Sequence, residues 1–291
     1  MKILVLNTGS SSQKSCLYEI SVNAALPTDP PEPLWSAQLD WNDLEGDAEL
    51  QVKTTDGVTF QERFRSRSKS ADTLKALATL WSGTTQVITN PQEIDIVGHR
   101  VVHGGENYRQ STQIDAEVKA EIDRLSIFAP IHNPANLAGI NAIEQILGPD
   151  IPQVAVFDTA FHAQLPPAAY IYPIPYEFLD RGIRRYGFHG ISHQYCAHRA
   201  ARILGRDLSS LKLITCHLGN GCSLAAIRDG HSIDTTMGFT PLEGLMMGTR
   251  SGSIDPGILI HLLRHSDCTV DELDHLLNHD SGLLGISGVS N

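Results

Sequence analysis

The chain opens on apolar positions and passes into a rough alternation of polar and apolar ones. Ile3-Leu4-Val5-Leu6 is a short apolar run that reads as a buried strand. Ser15-Cys16-Leu17-Tyr18-Glu19-Ile20 alternates more roughly and predicts a second strand. Residues 21–33 are rich in proline and predict a loop. Residues 34–40 and 50–63 predict strands, with Asp56-Gly57 as a hairpin turn. The period then lengthens. Leu74, Leu77, Ala78 and Trp81 fall on one face of a helix that Ser70 can cap. Residues 94–105 predict a strand running into Gly104-Gly105, and 117–125 a charged helix. Asn133-Pro134 reads as a cap followed by proline at the first helical position, the helix running to Gly148-Pro149. Residues 154–157 are a short buried strand ending at Asp158. Ser192 predicts the cap of a helix over 193–204, closed by Gly205.

The opening pattern then recurs. Residues 211–217 predict a strand, Leu218-Gly219-Asn220-Gly221 a tight turn, 222–227 a second strand and 231–235 a third. Two halves that each carry strand, glycine turn, strand predict a duplicated α/β fold with a nucleotide in the cleft between. Coincidence is the alternative, because hairpins are common. The division falls near Asp158 and the Pro166-Pro167 loop, giving domains over 1–158 and 159–291. Asp255-Pro256 starts a further helix, and Thr269 with Glu272 forms the capping box of the next.

Composition narrows the function. A chain of 291 residues holds one large domain or two. The formal net charge is −11 and no Lys/Arg cluster stands out, which argues against nucleic acid or an anionic membrane as partner. No apolar run has membrane-spanning length, and the N-terminus lacks the h-region of a signal peptide. Five cysteines without C-x-x-C spacing predict reduced thiols and a cytoplasmic setting. The i,i+4 pairs His189/His193, His261/His265 and His275/His279 raise the question of zinc. No H-E-x-x-H and no third ligand accompany them, so metal binding by histidine is not expected.

Any anion site must therefore be local. Asn7-Thr8-Gly9-Ser10-Ser11-Ser12-Gln13-Lys14 gathers hydroxyls, an amide, backbone N–H groups and one lysine, all donors suited to phosphate. A serine-rich surface hairpin is the bland reading, and the spacing is not that of a Walker A loop. Arg100 lies in a buried-looking strand, where a guanidinium suits a carboxylate, a phosphate or a structural ion pair. Arg250 lies in the glycine-flanked loop Met247-Gly248-Thr249-Arg250-Ser251-Gly252. Asp158 ends a strand, where ligands of open α/β sheets bind; it could hold Mg²⁺, carry a proton or cap a turn. His132 and His189 both precede helix starts, where either could face an anion or simply pack.

Seven segments together are more specific than any one. They are Asn7-Thr8-Gly9-Ser10-Ser11-Ser12, Gly98-His99-Arg100-Val101-Val102-His103-Gly104-Gly105, Pro130-Ile131-His132-Asn133-Pro134, Phe157-Asp158-Thr159-Ala160-Phe161-His162, Tyr186-Gly187-Phe188-His189-Gly190, His217-Leu218-Gly219-Asn220-Gly221 and Gly248-Thr249-Arg250-Ser251-Gly252. In this order the chain resembles the acetokinase family of the sugar kinase/Hsp70/actin superfamily. The resemblance implies a duplicated RNase H-like, actin-like ATPase fold, a homodimer, and reversible transfer of the ATP γ-phosphoryl to acetate with Mg²⁺ or Mn²⁺. It implies Asn7 at the metal; Ser10, Ser12, Lys14 and His217, Leu218, Gly219, Asn220, Gly221 at ATP; Arg100 and His132 at the acid; and Asp158, His189 and Arg250 in catalysis. Propionate as acceptor, or an inactive nucleotide-binding module of the actin/Hsp70 type, are the alternatives.

A small carboxylic acid, with a pKa of about 4–5 by analogy with Asp and Glu, is already ionised at pH 7. The nucleophile needs no base, and Asp158 is expected to organise Mg²⁺ rather than carry a proton. The family also continues past Ser290-Asn291 into further nucleotide-contacting segments, so the expectation is a C-terminally truncated member that binds ATP weakly.

Overall fold

Alternation builds the first sheet. In β1 (Lys2–Thr8), Leu4 and Leu6 are buried while Val5 and Asn7 face outward. β2 (Ser12–Glu19), β3 (Trp35–Asn42), β4 (Asp47–Thr54) and β5 (Thr59–Arg65) follow as an antiparallel meander. After α1 (Lys69–Ala78), β6 (Ile96–Val101) joins β1 in parallel. The short β7 (Thr112–Gln113), α2 (Ala116–Arg124), α3 (Asn133–Leu147) and β8 (Gln153–Phe157) complete an eight-stranded sheet of order β5-β4-β3-β2-β1-β6-β8-β7. The structure, a computed structural model, describes residues 1–9, 11–22, 31–42, 46–130 and 132–290.

Compact packing divides the chain into two units. The first is Met1–His103 with Ser111–Phe157; the second is Gly104–Gln110 with Asp158–Asn291. The first has one large core, in which Leu4, Leu17, Trp35 and Leu50 of the sheet meet Leu77 and Ile143 of the helices. Side chains of this kind stabilise by about 1.5–3 kcal/mol each when fully buried.

The second unit holds α4 (Pro167–Tyr170), α5 (Gly190–Ile203), the antiparallel strands β9 (Lys212–Leu218), β10 (Cys222–Arg228) and β11 (His231–Thr235), and α6 (Pro256–His265), α7 (Val270–His279) and α8 (Gly282–Ser287). Its sheet order is β11-β10-β9. Strand, glycine turn, strand thus stands at the head of the first sheet and again at β9–β10. A small apolar cluster of Ala197, Ala225 and Ile227 lies between α5 and this sheet, with Phe161, Leu208 and Leu213 packed on it. Among the described residues no helix is long and apolar enough to cross a membrane.

Three helix starts differ from the sequence reading. α1 is capped by Ser68, whose Oγ accepts from Ala71 N at 3.2 Å, not by Ser70. The buried face holds Asp72, Thr73, Ala76 and Leu77, so that Leu74 is exposed, and Trp81 lies past the last turn. Asp72 is drawn inside instead, accepting from Trp41 Nε1 and Ser66 Oγ. α3 has His132 at its cap, and Asn133 is its first residue. α5 starts at Gly190 behind His189, whose φ of 59° is left-handed, so Ser192 sits in the first turn rather than at the cap. The capping box of Thr269 and Glu272 is present in full.

Candidate active site

In the first unit the predicted phosphate-binding stretch is mostly strand. Only Gly9 and Ser11, with Ser10 between them outside the described residues, separate β1 from β2. Gly9 N donates to Ser12 O at 2.8 Å and tightens the turn. The register explains this: Thr8 pairs with Gln13, and the buried Gln13 amide oxygen accepts from Thr8 Oγ1 at 3.2 Å and Thr73 Oγ1 at 3.0 Å. Pairing to the very end of the strands leaves Ser12 and Lys14 on the sheet face that also carries Asn7, with Asn7 directly opposite Lys14. Arg100 projects to that face from β6, where His99 and Val101 are buried on the other. Its Nη1 donates to Asn7 Oδ1 at 3.1 Å. The unit therefore brings Asn7, Ser12, Lys14 and Arg100 onto one face.

Two amides under this face hold it in place. Asn136 Nδ2 donates to Thr8 O at 2.7 Å and its Oδ1 accepts from Val102 N at 3.1 Å, tying the ends of β1 and β6 to α3. Asn133 Oδ1 accepts from His103 N at 3.1 Å, and its Nδ2 reaches His103 O and Ile122 O. Asn133 is thus a clasp on the chain leaving β6 rather than a helix cap. His132 stands at the α3 cap, half-buried, its N donating to Ala129 O.

In the second unit Asp158 is 2% exposed, and its carbonyl accepts from Gly190 N at 2.9 Å. A side chain at Gly190 would collide with that carbonyl, so glycine is required for the close approach. The approach fixes His189. Its Nδ1 contacts Ser223 Oγ at 2.8 Å, and its ring stacks on His217 with centroids 4.0 Å apart. His217 Nδ1 contacts Ser192 Oγ at 2.9 Å. The turn after β9 closes through Gly219 N to Gly221 O at 3.1 Å, leaving Leu218, Gly219 and Asn220 exposed. Asn220 O accepts from Gly248 N at 3.1 Å, which ties this turn to the Arg250 loop. Arg250 Nη1 donates to Pro241 O at 2.9 Å. A methyl group added at Gly221 would lie 3.4 Å from His189 Nε2 and 3.5 Å from Arg250 Nη1. His189, Gly221 and Arg250 therefore border one small space.

Burial sets the charge of the histidines around it. His193, on the buried face of α5, is held down at about 4 by loss of water and by His217, against the pull of Asp158. His162 is held at about 3 by burial and, less, by His193, with the Phe188 carbonyl acting the other way. Both are neutral at pH 7.

The sequence reading passed over Thr215, Ser223 and Asn136, and it placed Gln13 in a donor-rich turn, whereas that side chain is buried on internal partners. Thr215 and Ser223 carried a signal: with His217 they put polar side chains at alternate positions of a hairpin, on one face. Among the described residues no group of three or more His, Cys, Asp or Glu side chains could hold a metal ion. Asn7 Oδ1 is an exposed hard donor with a second lone pair beyond the one Arg100 uses. That fits Mg²⁺, which takes few protein oxygens and completes its shell with water and phosphate.

A sequence profile described as "Acetokinase family" matches residues 2–291. The chain is 66% identical over 291 residues to "Acetate kinase" of Gloeobacter violaceus, covering all of this chain and 71% of that protein. It is 66% identical over 290 residues to "Acetate kinase" of a Cyanothece strain, of which it covers 70%. Among solved structures it matches an acetate kinase of Porphyromonas gingivalis (TM-score 0.86, 41% identity) and a propionate kinase of Francisella tularensis (TM-score 0.88, 39% identity). All of this chain and 71% of each of those are covered.

Proposed function

The chain belongs to the acetokinase family, and from that premise we propose that it transfers the γ-phosphoryl group of ATP to acetate, reversibly, giving acetyl phosphate and ADP. The observation that supports this reading is the approach of His189 Nε2 and Arg250 Nη1 to the same point beside Gly221, two donors directed at one place.

The reaction balances without a proton. An acetate oxygen forms a bond to the γ-phosphorus while the bond from that phosphorus to the ADP oxygen breaks, and the total negative charge is unchanged. The work left to the protein is to hold two anions in line and to offset charge on the equatorial oxygens. His189 and Arg250 take the second task. Arg100 is assigned to the acetate carboxylate, with His132 beside it in role. Ser10, Ser12, Lys14 and His217 to Gly221 are assigned to the ATP phosphates. Asn7 would supply an oxygen to Mg²⁺ or Mn²⁺ and Asp158 would organise it, and the bound cation would screen the ATP phosphates. The reading includes a homodimer and a cytoplasmic setting, the latter supported by five free thiols.

Trapping acyl phosphate as hydroxamate, with acetate, propionate and butyrate in parallel, tests the assignment. Acetate should give the highest rate and butyrate the lowest. No hydroxamate from any acid, in a preparation shown to be folded, overturns it; propionate leading moves the substrate up one carbon. The Asp158→Asn change tests its role. Loss of the normal Mg²⁺ dependence is expected, and a shifted pH profile with that dependence intact would restore the proton-carrier role.

A further inference from the structure

Beneath His189 runs a chain of side chains that touches no substrate in the reading above. Thr215 Oγ1 contacts His193 Nδ1 at 2.8 Å. His193 Nε2 contacts Ser223 Oγ at 2.8 Å, and Ser223 Oγ contacts His189 Nδ1 at 2.8 Å. Ser223 and His193 are 0% and 1% exposed, and Thr215 8%. The parts come from three elements. Thr215 and Ser223 share a face of β9–β10, since Ser223 pairs with His217 and Thr215 with Ala225. His193 is one turn along α5 from His189, so the two rings reach the same hydroxyl.

We propose that Ser223 is the positioning residue of His189: its hydroxyl donates to His189 Nδ1, so that the neutral ring presents Nε2–H to the transferring phosphoryl group. The inference rests on the phosphoryl-transfer reading of this site and adds the proton arrangement to it.

Counting protons selects this direction. His193 is neutral and has one N–H and one lone pair. If Nδ1 carried the proton, Thr215 Oγ1 would accept it. The buried Thr215 hydroxyl has no other hydrogen-bond partner among the described residues, so its own proton would be left unpaired, at a cost. If Nε2 carries it, every proton is used. Thr215 O–H donates to His193 Nδ1, His193 Nε2–H donates to Ser223 Oγ, and Ser223 O–H donates to His189 Nδ1. His189 then has its proton on Nε2, the atom beside Gly221 and Arg250. Phosphoryl oxygens only accept, so a bare Nε2 there would repel them.

Three further groups stand near the His189 ring. His217 is stacked on the ring at 4.0 Å, the Arg250 guanidinium lies across Gly221, and neutral His193 stands behind Ser223. Asp158 lies close enough to act on His193, pulling against its burial.

The test uses the full chain labelled with ¹⁵N-histidine. Long-range ¹H–¹⁵N spectra report which ring nitrogen carries the proton, and His189→Asn identifies the signals. In the parent protein His189 should be the neutral Nε2–H form. In Ser223→Ala it should become a mixture of tautomers, with kcat lower by roughly 10–100-fold and KM for acetate and ATP within about twofold; Ser223→Thr should restore both readouts in large part. Thr215→Val, close to isosteric and two links away, should give the same tautomer shift in weaker form and serves if Ser223→Ala does not fold. A parent His189 protonated on Nδ1, or unchanged tautomer in the variant that folds, overturns the proposal. The spectra need no turnover: a chain with no hydroxamate product but the Nε2–H tautomer loses the kinase reading, and one with full turnover and the Nδ1–H tautomer loses this one.

Discussion

In the first unit the side chains beneath Asn7 and Arg100 are amides bonded to backbone, whereas in the second those beneath His189 are hydroxyls bonded to rings. An amide clasp fixes where a strand end lies and is indifferent to pH. A ring–hydroxyl chain also fixes where protons lie. The cores differ in the same sense. The first unit rests its face on a sheet with a large apolar core, while the second has a small cluster and supports its site through loops and hydrogen bonds. Position is supplied by packing in one and by polar networks in the other.

Acid acts on both units alike, through buried rings in each. His99 and His103 of the first unit are pushed down to about 4 by burial, and His162 and His193 of the second to about 3 and about 4. Above pH 6.5 these rings are neutral folded or unfolded. Between 6.5 and 4 the unfolded chain takes up protons that the folded chain refuses, so stability falls as pH drops through that window, by about 1.4 kcal/mol per pKa unit per group. Urea midpoints should decline steadily from pH 6.5 to 4.5, and a flat profile would remove the buried-neutral assignment. Next in size is Leu50→Ala, in the large core and 0% exposed, which should cost about 2–5 kcal/mol. Ile227→Ala, 2% exposed in the small cluster of the second unit, should cost less than Leu50→Ala in the same urea titration. Equal losses would mean that the cores do not differ in the way described.

Asn136→Ala sharpens the clasp side of the comparison. It leaves Val102 N–H and Thr8 C=O without the amide, and a buried polar group left unsatisfied costs about 1–3 kcal/mol. Amide exchange at Val102 should rise with it, while the His189 tautomer stays put. Smallest is Thr269→Ala, which opens the capping box of α7 at about 1 kcal/mol, seen as a slightly lower urea midpoint with unchanged kcat.

Much of this was legible in the sequence, for physical reasons that can be named. The strands of the first sheet follow from side-chain alternation, because one face packs on helices and the other does not. The recurrence of strand, glycine turn, strand at β9–β10 was equally plain. Helix starts were less so: Ser68 and Ser70 are both competent caps, and only the burial of Asp72 against Trp41 decides between them. Asn133 looked like a cap because its neighbour is proline, yet tertiary partners at His103 override the local role. Thr215, His217 and Ser223 stand out as polar positions on one face of a hairpin, but the link to His189 is not legible until the fold places Ser223 under that ring.

The left-handed backbone of His189 narrows what evolution or an engineer can put there. Most side chains resist that conformation, and asparagine is among the few that accept it. A His189→Asn chain keeps the bend into α5 while losing the ring, so it should still fold, melting somewhat lower for the loss of the Ser223 hydrogen bond and the His217 stack, with turnover abolished. One codon change at one bend thus supplies a folded, silent twin against which every other variant can be judged.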